Sequence, residues 1–166
     1  MLPRPPRSEP APGHESVWDY PRPPRVEDTR KRLQVIFQGV TIADTRRGKR
    51  VIETSGAPVY YFPPEDVQFD CLAQTERATH CEWKGRAVYY TVQMGERNAP
   101  NAAWSYPDPA AGYEAIAVYL GFYPSLMDRC LVDGEPARPQ PGGFYGGWVT
   151  DDIVGPFKGA PGSEHW

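Results

Sequence analysis

From Leu33 onward the chain alternates. Leu33, Val35 and Phe37 fall on one side of an extended segment, and Gln34, Ile36 and Gln38 on the other. Gly39 supplies a turn, and Val40-Thr41-Ile42-Ala43 continues. Arg46-Arg47-Gly48-Lys49 turns, and Arg50-Val51-Ile52-Glu53 returns, which predicts a β-meander. Val59-Tyr60-Tyr61-Phe62 reads as a short aromatic strand. Pro63-Pro64-Glu65-Asp66 stops it and suits one helical turn, where proline is tolerated. Val67, Phe69 and Cys71 alternate again and predict a strand. Thr79–Trp83 and Arg86–Met94 predict a hairpin joined at Lys84-Gly85, both arms rich in strand-forming residues. Further strands are predicted over Asn101–Tyr106, Ile116–Tyr123 and Met127–Val132, with Asp133-Gly134 as a closing turn. A helical turn fits Ala110–Val118, and no long amphipathic helix appears. The predicted class is all-β, with a few short helical turns.

Composition changes the picture at the ends. The chain of 166 residues, a length that fits one domain, has twenty Pro and sixteen Gly, and the excess sits mostly at the two ends. Residues 1–32 hold eight prolines and a repeated pentapeptide, Pro3-Arg4-Pro5-Pro6-Arg7 and Pro21-Arg22-Pro23-Pro24-Arg25. Proline fixes φ and removes a donor, so this arm favours extended polyproline geometry. It is read either as a recognition arm for an aromatic groove or as a strap over the protein's own surface, pinned by Trp18 and Tyr20. Residues 33–135 form the predicted domain. In residues 136–166, Phe144, Tyr145, Trp148, Ile153 and Phe157 are too many large apolar groups for a free tail. This tail is expected to dock on the domain or on a neighbouring subunit, and a homodimer with exchanged tails is one form of that expectation.

The net charge of −3 gives no general case for nucleic acid or an anionic membrane as partner. No apolar run approaches the length of a membrane-spanning helix. The first residues have basic character but no apolar stretch of the kind a secretory signal needs. Cys71, Cys81 and Cys130 lie far apart, which reads as reduced thiols and a cytoplasmic location.

The densest chemistry lies in Thr79–Tyr90, THCEWKGRAVYY. His80 and Cys81 are adjacent on a predicted strand and so point to opposite faces, which argues against a Cys–His nucleophile pair. Zinc wants four ligands in close pairs, and no CxxC, HxxxH or HExxH occurs, so no metal or cofactor is expected. A hairpin remains, with Cys81 and Trp83 sharing one face and Lys84 at the turn. Its aromatics are either the wall of a ligand pocket beside one cation or simply core.

These stretches bear a resemblance. Val40–Thr45, Tyr60–Val67, Thr79–Tyr90, Ala103–Pro109 and Phe122-Tyr123-Pro124 occur in an order similar to the bacterial domain of unknown function 427 family. The resemblance implies a β-tent, in which two antiparallel sheets are pinned at one edge and splayed at the other. The nucleotidyltransferase label sometimes given to the family finds no Gly-Ser with a following Asp-x-Asp pair here, and no phosphate-binding glycine loop. The zinc knuckles of other β-tents are missing too, so zinc is not carried over. Where family members often have Cys-Pro-Phe-Lys-Gly, this chain has Cys81-Glu82-Trp83-Lys84-Gly85, and Gly155-Pro156-Phe157-Lys158-Gly159 echoes that motif in the tail.

Three functions follow as expectations. The first is a small-molecule binding module, with Tyr61, Trp83, Trp104 and Tyr106 as aromatic walls and Asp66 and Lys84 as polar handles. The second is an enzyme using Asp66 or Glu65 as base and Lys84 to stabilise negative charge, with Cys81 as a nucleophile only if Lys84 lowers its pKa. The third is a protein-interaction module acting through the repeated Pro-Arg arm.

Overall fold

A computed structural model describes residues 9–166. The first pentapeptide repeat, Pro3–Arg7, therefore lies outside the described residues. The strands are β1 (Glu15–Ser16), β2 (Arg25–Asp28), β3 (Leu33–Phe37), β4 (Val40–Thr45), β5 (Lys49–Ile52), β6 (Val59–Tyr61), β7 (Leu72–Cys81) and β8 (Gly85–Met94). They continue with β9 (Arg97–Ser105), β10 (Leu120–Phe122), β11 (Arg129–Val132), β12 (Glu135–Pro136), β13 (Arg138–Pro139), β14 (Trp148–Val149) and β15 (Ile153–Val154). The protein is mainly β, built of several antiparallel sheets with no barrel, and its helical residues are single 3-10 turns. Among the described residues no helix is long and apolar enough to cross a membrane.

One four-stranded sheet has the order β12-β11-β3-β4. In β3 the alternation holds, with Leu33, Val35 and Phe37 fully buried. Gln38 and Gly39 both take positive φ (53° and 75°), the two-residue turn that matches strand twist, and Asp133-Gly134 repeats it between β11 and β12. A second sheet, β10-β9-β8-β7, holds the long hairpin, and a third is β2-β5-β6. Paired backbone bonds between Phe62 and Leu120 (2.8 and 2.9 Å) join the second and third at β6 and β10. The hydrogen-bonded surface thus runs β2-β5-β6-β10-β9-β8-β7.

Period two then sorts the aromatics. Tyr60 and Phe62 enter the main core with Leu33, Phe37, Ile42, Val92, Leu120, Phe122 and Trp148. Tyr61, between them, faces the other way into a second cluster with Tyr89, Trp104, Tyr106, Tyr113 and Ile116. On β9, Ala103 faces the main core and Trp104 the second cluster.

Both ends lie on this frame. The second repeat becomes a strap: the Thr54 amide donates to the Pro21 carbonyl (3.0 Å), Tyr113 Oη donates to the Pro24 carbonyl (2.8 Å), and Arg25 opens β2 beside β5. β1 pairs in parallel with β15, and Trp18 Nε1 donates to the Pro156 carbonyl at 2.9 Å. Of the tail aromatics, Trp148 is completely buried, Tyr145 and Phe157 are half-buried, and Phe144 is 74% exposed.

The strand expected over Val67–Cys71 is a correction. Only Val67 pairs, as a single bridge to Ala43, and Phe69–Cys71 is a 3-10 turn. The apolar alternation there misleads because Phe69 is largely exposed and meets the Tyr90 ring edge-on, 6.3 Å away. The hairpin's first arm is also longer than expected, since the polar run from Leu72 joins β7 by pairing with β8.

Candidate functional site

A cavity of about 330 Å³ opens on the second cluster's face. The walls come from β5, β6, β7, β8 and β9, and the tail covers them. Tyr61, Trp104 and Tyr106 line it as the aromatic residues singled out in the sequence, with Tyr89 and Tyr123 beside them. The Trp104 ring meets Tyr61 edge-on (centroids 6.0 Å apart), and its Nε1 donates to Tyr61 Oη at 3.2 Å. Gly121, directly across from Trp104 on β10, and Gly146 from the tail hold that indole between them. A Cβ on either would come within 2.5 Å of the ring. Burial pushes the hydroxyls of Tyr61, Tyr106 and Tyr123 well above the ordinary tyrosine range, so they stay neutral at physiological pH.

Lys84 also lines the cavity, its ammonium 5.8 Å from the centre of the Tyr106 ring. Its carbonyl accepts from the Ala110 amide (2.8 Å), and the next residue, Gly85, turns the chain at φ +100°. Cys81 and His80 are lining residues too, and Cys81 is half-buried.

Two of the sequence candidates stand elsewhere. Asp66 is not a lining residue; it accepts from Thr45 Oγ1 (2.7 Å) and pairs with Arg47 (3.2 Å). Trp83 packs against the second cluster from outside and faces a separate open groove with Pro23, Pro24 and Tyr113. Among the described residues no three His, Cys, Asp or Glu side chains gather in a metal-holding arrangement.

Sequence reasoning missed Arg77, Glu53 and Lys158. Arg77 lies over the Tyr89 ring at 4.7 Å and Lys158 over the Tyr145 ring at 5.0 Å. Lys158 is held at both backbone ends: its amide donates to the Ser55 carbonyl (2.9 Å), and its carbonyl accepts from Gln140 Nε2 (3.0 Å). The side chain is 13% exposed and its ammonium stands 3.6 Å from Glu53, which Arg22 also approaches at 3.5 Å. Burial lowers the lysine's proton affinity, Glu53 opposes that, and Arg22 and Lys84 reinforce it. Lys158 precedes Gly159 at φ +109°, as Lys84 precedes Gly85. The echoed Lys-Gly step is the signal that could have found it: in both places a left-handed glycine turns the chain directly after a lysine of the cavity lining.

A family model described as Domain of unknown function (DUF427) matches residues 25–133. The chain belongs to that family. No curated protein matches it. The DUF427 segment supplies Tyr61, Arg77, Lys84, Tyr89, Trp104 and Tyr106 to the cavity, whereas Gln140, Tyr145, Gly146 and Lys158 come from beyond it.

Proposed function

We propose that this chain is a small-molecule binding module whose ligand occupies the aromatic cavity. The observation that carries the reading is the enclosure itself. Seven aromatic side chains wall a space of about 330 Å³: Tyr61, Tyr89 and Trp104 from three strands, Tyr106 and Tyr123 from the residues that follow β9 and β10, and Phe144 and Tyr145 from the tail, with a few polar groups facing in. Ligand sites are concave, mostly apolar, pre-formed and about 300–1,000 Å³ in size. A buried cluster meant only for packing would close on itself, as the main core does around Trp148.

A thermal-shift screen of the full chain against a metabolite library tests it. A ligand at about 100 times its dissociation constant adds about 2.7 kcal/mol. For a domain of this size that is roughly 5–10 °C. The expected result is a shift of that order, lost in Trp104→Ala while the variant still melts cooperatively. No shift from any compound, or a shift indifferent to Trp104→Ala, refutes the reading.

A further inference from the structure

Three cations reach the cavity from three separate places: Arg77 from β7, Lys84 from the turn that follows it, and Lys158 from the C-terminal segment. Each lies over the face of a tyrosine, namely Tyr89, Tyr106 and Tyr145. Among the described residues lining the cavity, Glu53 is the one carboxylate, and it is already shared by Lys158 and Arg22. The chain as a whole carries −3. An acidic protein has thus concentrated positive charge around one aromatic space, against the mutual repulsion of Lys84 and Lys158.

The lysines are also placed with care. Each is anchored through its backbone and followed by a left-handed glycine. Lys158 gives up most of its hydration to stand there. One carboxylate divided between two partners does not balance that arrangement. A bound anion would, since charge-assisted bonds to an oxyanion are strongest where water is excluded. The neutral tyrosine hydroxyls add donors without adding charge.

We infer that the ligand of this cavity is a small aromatic anion, its oxyanion seated between Lys84 and Lys158 and its ring against Trp104 and Tyr106. The inference rests on the binding-module reading above and gives that site its substrate class. Lys158 is a specificity-determining residue supplied from outside the family-matched segment.

The test is calorimetric titration of the full chain with four probes of one shape: 2-naphthoate, 2-naphthyl phosphate, the neutral 2-naphthamide and the cationic 2-naphthylmethylamine. A charged hydrogen bond of the usual strength gives the better anion about a tenfold or greater advantage over the amide. Whichever anion leads shows whether a carboxylate or a phosphate is preferred. That advantage should collapse in Lys84→Gln, which keeps the turn's backbone bond to Ala110, and in Lys158→Gln, with both variants still melting cooperatively, and it should survive in Lys158→Arg. Amide or amine binding as tightly as either anion overturns the inference, as does an anion preference unchanged by both lysine variants. In either case the binding-module reading stands if Trp104→Ala weakens all the probes alike. Failure of every probe to bind overturns the inference, and the library screen above then decides the binding-module reading separately.

Discussion

Replacing Trp148 with alanine tests whether the C-terminal segment is part of the fold or merely lies on it. The indole is completely buried in the main core. It sits 5.3 Å from the Tyr60 ring and 6.0 Å from Phe62, and its Nε1 donates to the Phe122 carbonyl at 3.1 Å. Its own amide donates to the Pro58 carbonyl (2.9 Å), so the backbone cannot follow the missing side chain inward. Truncating a buried Trp to Ala costs about 3–5 kcal/mol. For a domain of this length each kcal/mol moves the melting temperature by about 2–4 °C. The expected loss is therefore about 6–20 °C. Phe144→Ala, four residues earlier and 74% exposed, is the internal control, expected to stay within about 0.5 kcal/mol of the native chain. Differential scanning fluorimetry or calorimetry reads both. A Trp148→Ala loss under about 3 °C would mean that the segment does not contribute to the core and that its cavity residues are not held in place.

Two further outcomes follow from the geometry. Gly146→Ala sets a methyl 2.4 Å from the Trp104 ring; overpacking of this kind costs about 1–3 kcal/mol, so the melting temperature should fall by about 2–12 °C with altered tryptophan fluorescence, and an unchanged melt refutes the close approach. The Arg50 hydrogen bonds hold the Glu15 carboxyl below its ordinary range, against the effect of burial. Its stabilisation is full above the unfolded value and is lost as pH falls through the lower folded one. The difference in urea midpoint between the native chain and Glu15→Gln should therefore be widest near neutrality and shrink below about pH 4. A gap equally wide at about pH 2.5 refutes that account.

Much of the frame was legible because it is written locally. The alternation of Leu33, Val35 and Phe37, the turns at Gln38-Gly39 and Asp133-Gly134, and the proline-started turn at Pro64 all express backbone preferences within a few residues. Tyr61 and Trp104 share a face because each sits one step out of phase with its core-facing neighbours, Tyr60 and Ala103. What was illegible depends on distant partners. Leu72–Gln74 has little strand character of its own and is extended because β8 pairs with it, and the ladder bulges over Thr75, Glu76 and Arg77 before resuming at Ala78. Asp66 looked like a site residue by its place in a motif, but Arg47 and Thr45 draw it to another surface. Glu53 and Lys158 meet across more than a hundred residues, and no spacing rule reaches that far.

The two ends of the chain explain how so charged a cavity holds its shape. Val17 and Tyr20 from the strap and Ile153 from the tail pack around Ile52, the last residue of β5. Immediately beyond it, Thr54 is bonded to the Pro21 carbonyl through its amide and to the Tyr20 carbonyl through its hydroxyl (2.6 Å). Ser55 donates its amide to the Val17 carbonyl (3.0 Å) and accepts from the Lys158 amide. Glu53 lies within this bonded stretch, so its position is set by strap and tail together rather than by the sheet alone. Residues 15–20 and 140–158 both fall outside the matched segment 25–133. The family-matched segment supplies most of the aromatic walls together with Glu53, Arg77 and Lys84, and the two flanking segments hold Glu53 in place and add Lys158. On the anion-binding proposal, the ends therefore contribute Lys158 and the setting of Glu53, and the strap and tail must be docked together for Glu53 and Lys158 to face one another.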